Sequence, residues 1–366
     1  MSTDPLERPT PRTTDWSRES RLREIRREAE KKGRVDAIGI RPSGAPFPVA
    51  SPETGYYGLP LLKQPPWTWQ IPLYFFAGGA AGSAAVIGIA ARWIGHDRRL
   101  ARDCRYIAAA GTALSSGLLI SDLGRPSRFL AMMRVFKPQS PMSVGAWTLA
   151  VFGTFSAAAA FAEWANRHVD SVVLRSGGNF AEGISALAGL PFSNYTGVLI
   201  GASVIPLWNE NVGSLPIHFG MSGLNSAVSM LELMGHNNSA LNTLGMGASA
   251  IETLEGYKIE TSSRRAMEPL KRGPSGLVTR IGGVLSGPIP LFLRVAAAFA
   301  GRRSSHKLRR AAAISSIAGS MLTRIAWIHA GHVSAKDWRL PLQVDRARQS
   351  PQKSHLSNIS DPHKMP

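Results

Sequence analysis

From about residue 69 onward, long apolar stretches rich in Gly, Ala and Ser alternate with short polar segments. Each stretch approaches the ~20 residues that a helix needs to cross ~30 Å of hydrocarbon. The pattern predicts spans near 69–94, 105–122, 142–165, 195–208, 213–235, 238–257, 277–299 and 311–333. The fourth, TGVLIGASVIPLW, is the weakest, because it is short and Pro206 is expected to end it. Were it to re-enter instead of crossing, seven spans would remain and the tails would lie on opposite sides. The fold class is therefore all-α, a polytopic integral membrane helix bundle of about eight transmembrane helices.

Two polar flanks frame this domain, which covers residues 67–335: a basic N-terminal extension, 1–66, and a C-terminal tail, 336–366. Residues 17–34 read as a short charged helix, with Ser17 as N-cap and a thin apolar stripe of Leu22, Ile25 and Ala29. Residues 41–66 are rich in Pro and Gly. They lead into Pro65-Pro66-Trp67-Thr68-Trp69, whose rings suit a membrane interface. The first apolar run begins too late for the core of a signal peptide, so the first span is expected to act as an uncleaved anchor. Small residues at Gly78, Gly79 and Gly82, and again at Gly245 and Gly247, are expected to let helices approach closely.

The formal net charge of +18 would suggest nucleic acid in a water-soluble protein. Here the Lys and Arg residues fall mainly in the tails and between spans, which favours anionic lipid headgroups and a protein partner over nucleic acid. Eight spans put both tails on one face. The loop charges are too evenly divided between the faces to fix the orientation. A single cysteine, Cys104, excludes an internal disulfide, a four-thiolate iron–sulfur site and a covalent c-type haem.

Ionisable and hydrogen-bonding groups inside spans are costly, so each is a functional candidate. Gln70 and Tyr74 open the first span, Asp122 closes the second, and Glu210 and His218 flank the start of the fifth. Glu252, Glu255 and Tyr257 close the sixth, and His329 and His332 close the eighth. On an eight-span count all of them lie on the tail-bearing face. Such a cluster suits a quinone, whose carbonyl oxygens take up protons when it is reduced. Tyr257 and His332 read instead as interface anchors. Glu232 and His236 read as an i, i+4 pair at the opposite face, and Arg294 and Arg324 as side chains that bond to carbonyls or snorkel.

The segment SDLGRPSRFLAMMRVFKPQSPMSVGAWT, residues 121–148, closely resembles a loop of the NrfD/PsrC family, the membrane subunits of polysulfide-reductase-like molybdoenzyme complexes. Its landmarks are Asp122-Leu123-Gly124-Arg125-Pro126, Arg128-Phe129, Ser140-Pro141-Met142-Ser143 and Gly145 with Trp147. Similar but weaker landmarks are GYYGLPLLKQPPWTW, Trp208-Asn209-Glu210 with Leu215-Pro216, and Leu322-Thr323-Arg324 with Ala330-Gly331. The resemblance implies an eight-helix protein of the bacterial inner membrane, without haem or iron–sulfur cluster of its own. It would bind menaquinone or ubiquinone and dock a ferredoxin-type iron–sulfur subunit. That subunit would in turn connect to a molybdopterin catalytic subunit carrying molybdenum or tungsten, of formate dehydrogenase or polysulfide reductase type.

On this reading the chain is not the main catalytic subunit. Gln70, Tyr74, Asp122, Arg125, Glu210, His218 and Glu252 form the quinone site and proton path, and Arg125, Arg128 and Trp147 dock the partner. Asp122 beside Arg125 and Arg128 also suggests an ion-paired turn. Some members of the family have a histidine early in the first span where this chain has Tyr74. Two other readings compete: a b-type cytochrome anchor with paired histidines on haem, and a secondary transporter with a helix broken at Ile205-Pro206.

Overall fold

The computed structural model describes residues 62–123 and 132–337, together with Phe129 and, near the N-terminus, Ser20, Arg23, Glu24 and Arg27. The last four are helical and exposed; Ser17 and the rest of the charged segment lie outside the described residues.

Many helices of the bundle begin where the sequence supplies a cap or a proline in the first turn. Helix α1, Gln70–Trp93, follows Pro65 and Pro66. Helix α2, Arg98–Asp122, is capped by Asp97, whose side chain accepts from the Leu100 amide at 2.9 Å. Helix α3, Pro141–Ala165, has Ser140 as cap and a proline in its first turn, where a missing N–H costs nothing. Helix α4 spans Val172–Gly201, and the single turn α5 is Pro206–Asn209. Helices α6, Leu215–Leu233, and α7, Ser239–Thr261, follow, the latter capped by Asn238 onto the Ala240 amide at 2.9 Å. After a 3₁₀ turn at Arg265–Leu270, α8, Gly273–Ser286, and α9, Pro288–Phe299, form one pass interrupted at Gly287. Helix α10, Arg302–Lys336, is 35 residues long and closes the bundle.

With α8 and α9 counted together, the described residues make eight helical passes, the number expected. Four of them, Gln70–Trp93, Pro141–Ala165, Gly273–Phe299 and Arg302–Lys336, are long and apolar enough by themselves to cross a membrane. His332 Nε2 lies 2.9 Å from the Pro65 carbonyl oxygen, which ties the end of α10 to the start of α1 on one face. Large apolar side chains on the outer surfaces, including Phe161 and Trp164 on α3, Phe180 and Leu187 on α4 and Phe292 on α9, are exposed, as a lipid-facing surface requires.

Three sequence expectations change. The fourth pass begins at Val172, not near 195, and Pro191 is accommodated inside it. Pro206 does not end that helix but starts α5, after a break at 202–205. Glu232 and His236 do not pair with each other: Glu232 holds Arg294 in a two-pronged contact at 2.8 Å, and His236 Nε2 lies 2.8 Å from Asp103 Oδ2. The positive φ of Gly235, +95°, turns the chain between them, so the helical i, i+4 geometry is lost.

Helix α1 is central, packing on α2, α4, α6 and α10. Close approach explains its glycines: a Cβ on Gly82 would sit 2.5 Å from the Gly189 carbonyl oxygen of α4. Towards the tail-bearing face the core is aromatic, with Tyr74, Phe75, Phe192, Trp208, Phe219 and Trp327. Towards the opposite face it is aliphatic, built on Ala84, Ile87, Leu100, Cys104, Val228 and Leu231.

Candidate functional site

The polar residues expected to share one site occupy three places. A slot of ≈ 90 Å³ opens among α1, α2, α3 and α4. Its walls are largely apolar, with Trp67, Ile71, Phe75, Leu119, Met132, Met142 and Leu199, and its polar edge consists of Tyr74, Asp122 and Tyr195. Tyr74 is 2% exposed, packed edge-on to Phe192 at 6.5 Å, and its hydroxyl has no hydrogen-bond partner among the described residues. Asp122, at the end of α2, has Thr68 Oγ1 at 3.5 Å from its Oδ1. Gln70 is half-buried and bonded to the Thr68 hydroxyl, at the rim and not among the residues that line the slot.

Tyr195 was not expected here. Its hydroxyl donates to the Pro141 carbonyl at 2.7 Å, which fixes its ring across the start of α3. Gly145 makes this possible, since a Cβ there would sit 1.8 Å from Tyr195 Cζ. The sequence held half of this signal in Gly145, one turn after Pro141, but placing Tyr195 at a helix start hid its role.

The second place is a polar chamber of ≈ 570 Å³ bounded by the segment after α5 and by α6, α7, the 3₁₀ turn and α10. Glu210, His218, Glu255, Lys258, Arg264 and Trp327 line it, among others. Lys258 Nζ pairs with Glu255 Oε1 at 2.6 Å. His218 is buried with both ring nitrogens unpartnered, and its ring centroid lies 6.1 Å from that of Trp327.

The third place is the interior beyond that chamber. Glu252 is 1% exposed, and neither carboxylate oxygen has a well-directed hydrogen bond among the described residues. Arg324 lies buried near it and donates to Ser222 Oγ at 2.7 Å and to the Ser320 carbonyl at 3.0 Å, the carbonyl bonding expected from its position.

Arg125 and Arg128 lie outside the described residues, as does the turn they were expected to form with Asp122. Trp147 is half-buried, packed edge-on to Phe136 at 6.1 Å with its indole nitrogen enclosed. Of the candidate haem ligands, His236 is held by Asp103, His332 faces Pro65, and His329 is exposed. Among the described residues no three His, Cys, Asp or Glu side chains converge as a metal site would require.

Sequence reasoning also missed a buried charge network near the opposite face. Arg105 reaches Glu163 at 2.9 Å and Glu182 at 2.7 Å, and Arg92 reaches Glu182 at 2.6 Å.

The family model described as "Polysulphide reductase, NrfD" matches residues 61–335. No curated protein matches the chain.

Proposed function

The chain belongs to the NrfD family of polysulphide reductase, as a multi-pass membrane protein, and on that premise we propose that it is the quinone-reactive membrane subunit of an oxidoreductase complex of the bacterial inner membrane. In this reading it exchanges electrons between the quinone pool and a ferredoxin-type iron–sulfur subunit docked on the tail-bearing face. That subunit serves a molybdenum or tungsten catalytic subunit of formate dehydrogenase or polysulfide reductase type.

The observation that carries the proposal is the slot. Its aromatic and aliphatic walls suit the faces of a quinone ring, Met132 and Met142 are flexible enough to widen it for the ring, and Tyr74 offers at its edge a phenol with no hydrogen-bond partner among the described residues. A bound quinone would supply a two-electron, two-proton couple. The chain's own residues would hold it: Tyr74 donates to one carbonyl oxygen, and Asp122, at the helix end beside Thr68, passes protons to and from the aqueous face. Tyr195 has its proton committed to Pro141, so its ring acts as a wall.

The test is quinol affinity in the assembled complex. Tyr74→Phe removes one hydroxyl with little change in packing and should weaken binding about fivefold, or about 1 kcal/mol. Unchanged affinity would remove Tyr74 from the site; unchanged affinity after Tyr74→Phe and after a slot-filling Ala146→Phe would remove the slot.

A further inference from the structure

In the half of the bundle built by α6, α7, α8 and α10, buried polar atoms without a well-directed hydrogen bond form a series of neighbours. It starts at the polar chamber with His218 Nδ1 and Nε2 and Trp327 Nε1, continues through Arg324 Nε, and ends at both oxygens of Glu252 with Asn225 Oδ1 and Ser286 Oγ beside them. Each such atom, left dry, would cost about 1–3 kcal/mol. At the inner end Ser286, Ser222 and Asn225 stand within hydrogen-bonding range of Glu252 but without good alignment, and ordered waters are what complete such loosely made shells around buried polar groups. The pass opposite Glu252 is broken at Gly287, and Asn225 Nδ2 takes the freed Ser286 carbonyl at 3.0 Å, so the backbone there already turns polar atoms inward.

We propose that this half of the bundle holds a hydrated proton-binding centre at Glu252, reached from the polar chamber past His218 and separate from the slot. A carboxylate enclosed without a directed partner is too costly to stay dry and charged. The charged group facing it is Arg324 on α10; α6 faces it with Ser222 and Asn225, and α8 with Ser286. Arg324 is already engaged by Ser222 Oγ and the Ser320 and Phe219 carbonyls and makes no hydrogen bond to the carboxylate. A positive guanidinium nearby also opposes a metal cation and leaves the proton as the occupant. His218, with two free ring nitrogens between chamber and interior, relays it.

The centre needs no quinone, so its test uses the purified full-length chain in detergent or nanodiscs without one. Infrared difference spectra taken across a pH titration should show a carboxylic acid C=O band that disappears in Glu252→Gln and shifts in Glu252→Asp. On transfer to D₂O the band should shift promptly, and in His218→Phe that exchange should slow on the order of tenfold. A wild-type spectrum identical to Glu252→Gln at every pH would overturn the centre, because Glu252 would then stay an ionised structural partner of Arg324. Exchange unchanged in His218→Phe and in His218→Ala would overturn the route. Failure of the Tyr74 affinity test leaves both results standing.

Discussion

Trp67 lies flat on Trp208, with ring centroids 5.2 Å apart and planes 21° off parallel. Trp208 Nε1 donates to the Trp327 carbonyl at 3.0 Å, so the slot lined by Trp67 and the chamber lined by Trp327 share one aromatic partition. Gly331 gives Trp208 its room, since a Cβ there would sit 2.0 Å from Trp208 Cζ2. Trp67→Ala should lower the stability of the detergent-solubilised chain by about 3 kcal/mol and let a polar fluorescent probe in the chamber report water exchange with the slot. Trp67→Phe should recover most of the stability. Equal melting curves for wild type and Trp67→Ala would show that the stack contributes nothing.

Gly145→Ala tests the opposite wall. The added methyl collides with the Tyr195 ring, so Tyr195 must leave the Pro141 carbonyl or α3 must shift, at a cost of about 1–3 kcal/mol. Tyr195→Phe alone should cost about 1 kcal/mol by freeing Pro141. In the double variant the losses should not add, because both act on the same contact. Chemical unfolding in mixed micelles reads all three.

How much of this was legible in the sequence depends on what hides a span. Residues 172–194 carry Arg175, Asn179 and Glu182, and no hydropathy pattern marks them as membrane-embedded. The structure buries Glu182 because Arg92 and Arg105 reach it from α1 and α2, and one-dimensional patterning cannot see charges cancelled between helices. Helices α2 and α10 also start before the apolar stretches at 105 and 311, at Arg98 and Arg302, because exposed charged residues extend them beyond the apolar part. Helix α10, at ~1.5 Å per residue, is about 50 Å long and outruns the hydrocarbon, so apolar length underestimates it.

The site was half legible for a related reason. Membrane depth follows from position within a span, and the grouping of Tyr74, Asp122, Glu210, His218 and Glu252 towards one face rests on that. Which helices stand side by side does not follow from depth. Tyr74 and Asp122 therefore proved to border a slot in the α1–α4 half, while Glu210 and His218 border the chamber beyond the tryptophan partition.

Arg105 is the keystone of the charge network that hydropathy missed. Arg105→Ala would leave Glu182 with Arg92 alone and strip Glu163 of its partner, and should destabilise the chain by about 3 kcal/mol or more. Arg105→Lys, which cannot reach two carboxylates and Asn179 with one fork, should recover only part of that. Thermal midpoints in one detergent decide it, and a full rescue by lysine would reduce the network to simple charge balance.

The Glu232–Arg294 pair separates structure from transport. Both side chains are fully buried and meet twice at 2.8 Å, with Ser229 Oγ at 3.3 Å from the guanidinium. Removing one member strands the other, so Glu232→Leu or Arg294→Met alone should cost about 3–5 kcal/mol, whereas the double replacement by apolar residues should return close to wild-type stability. Gly245→Ala offers an independent check, because its Cβ would sit 2.4 Å from Arg294 Cζ and should dislodge the fork while leaving both charges in place. If the pair only holds α6 to α9, the double variant in the assembled complex keeps quinol-linked electron transfer near the wild-type rate. A folded, stable double variant that has lost turnover would instead make the pair part of the working path of the subunit, and would extend the polar series from Glu252 towards the opposite face.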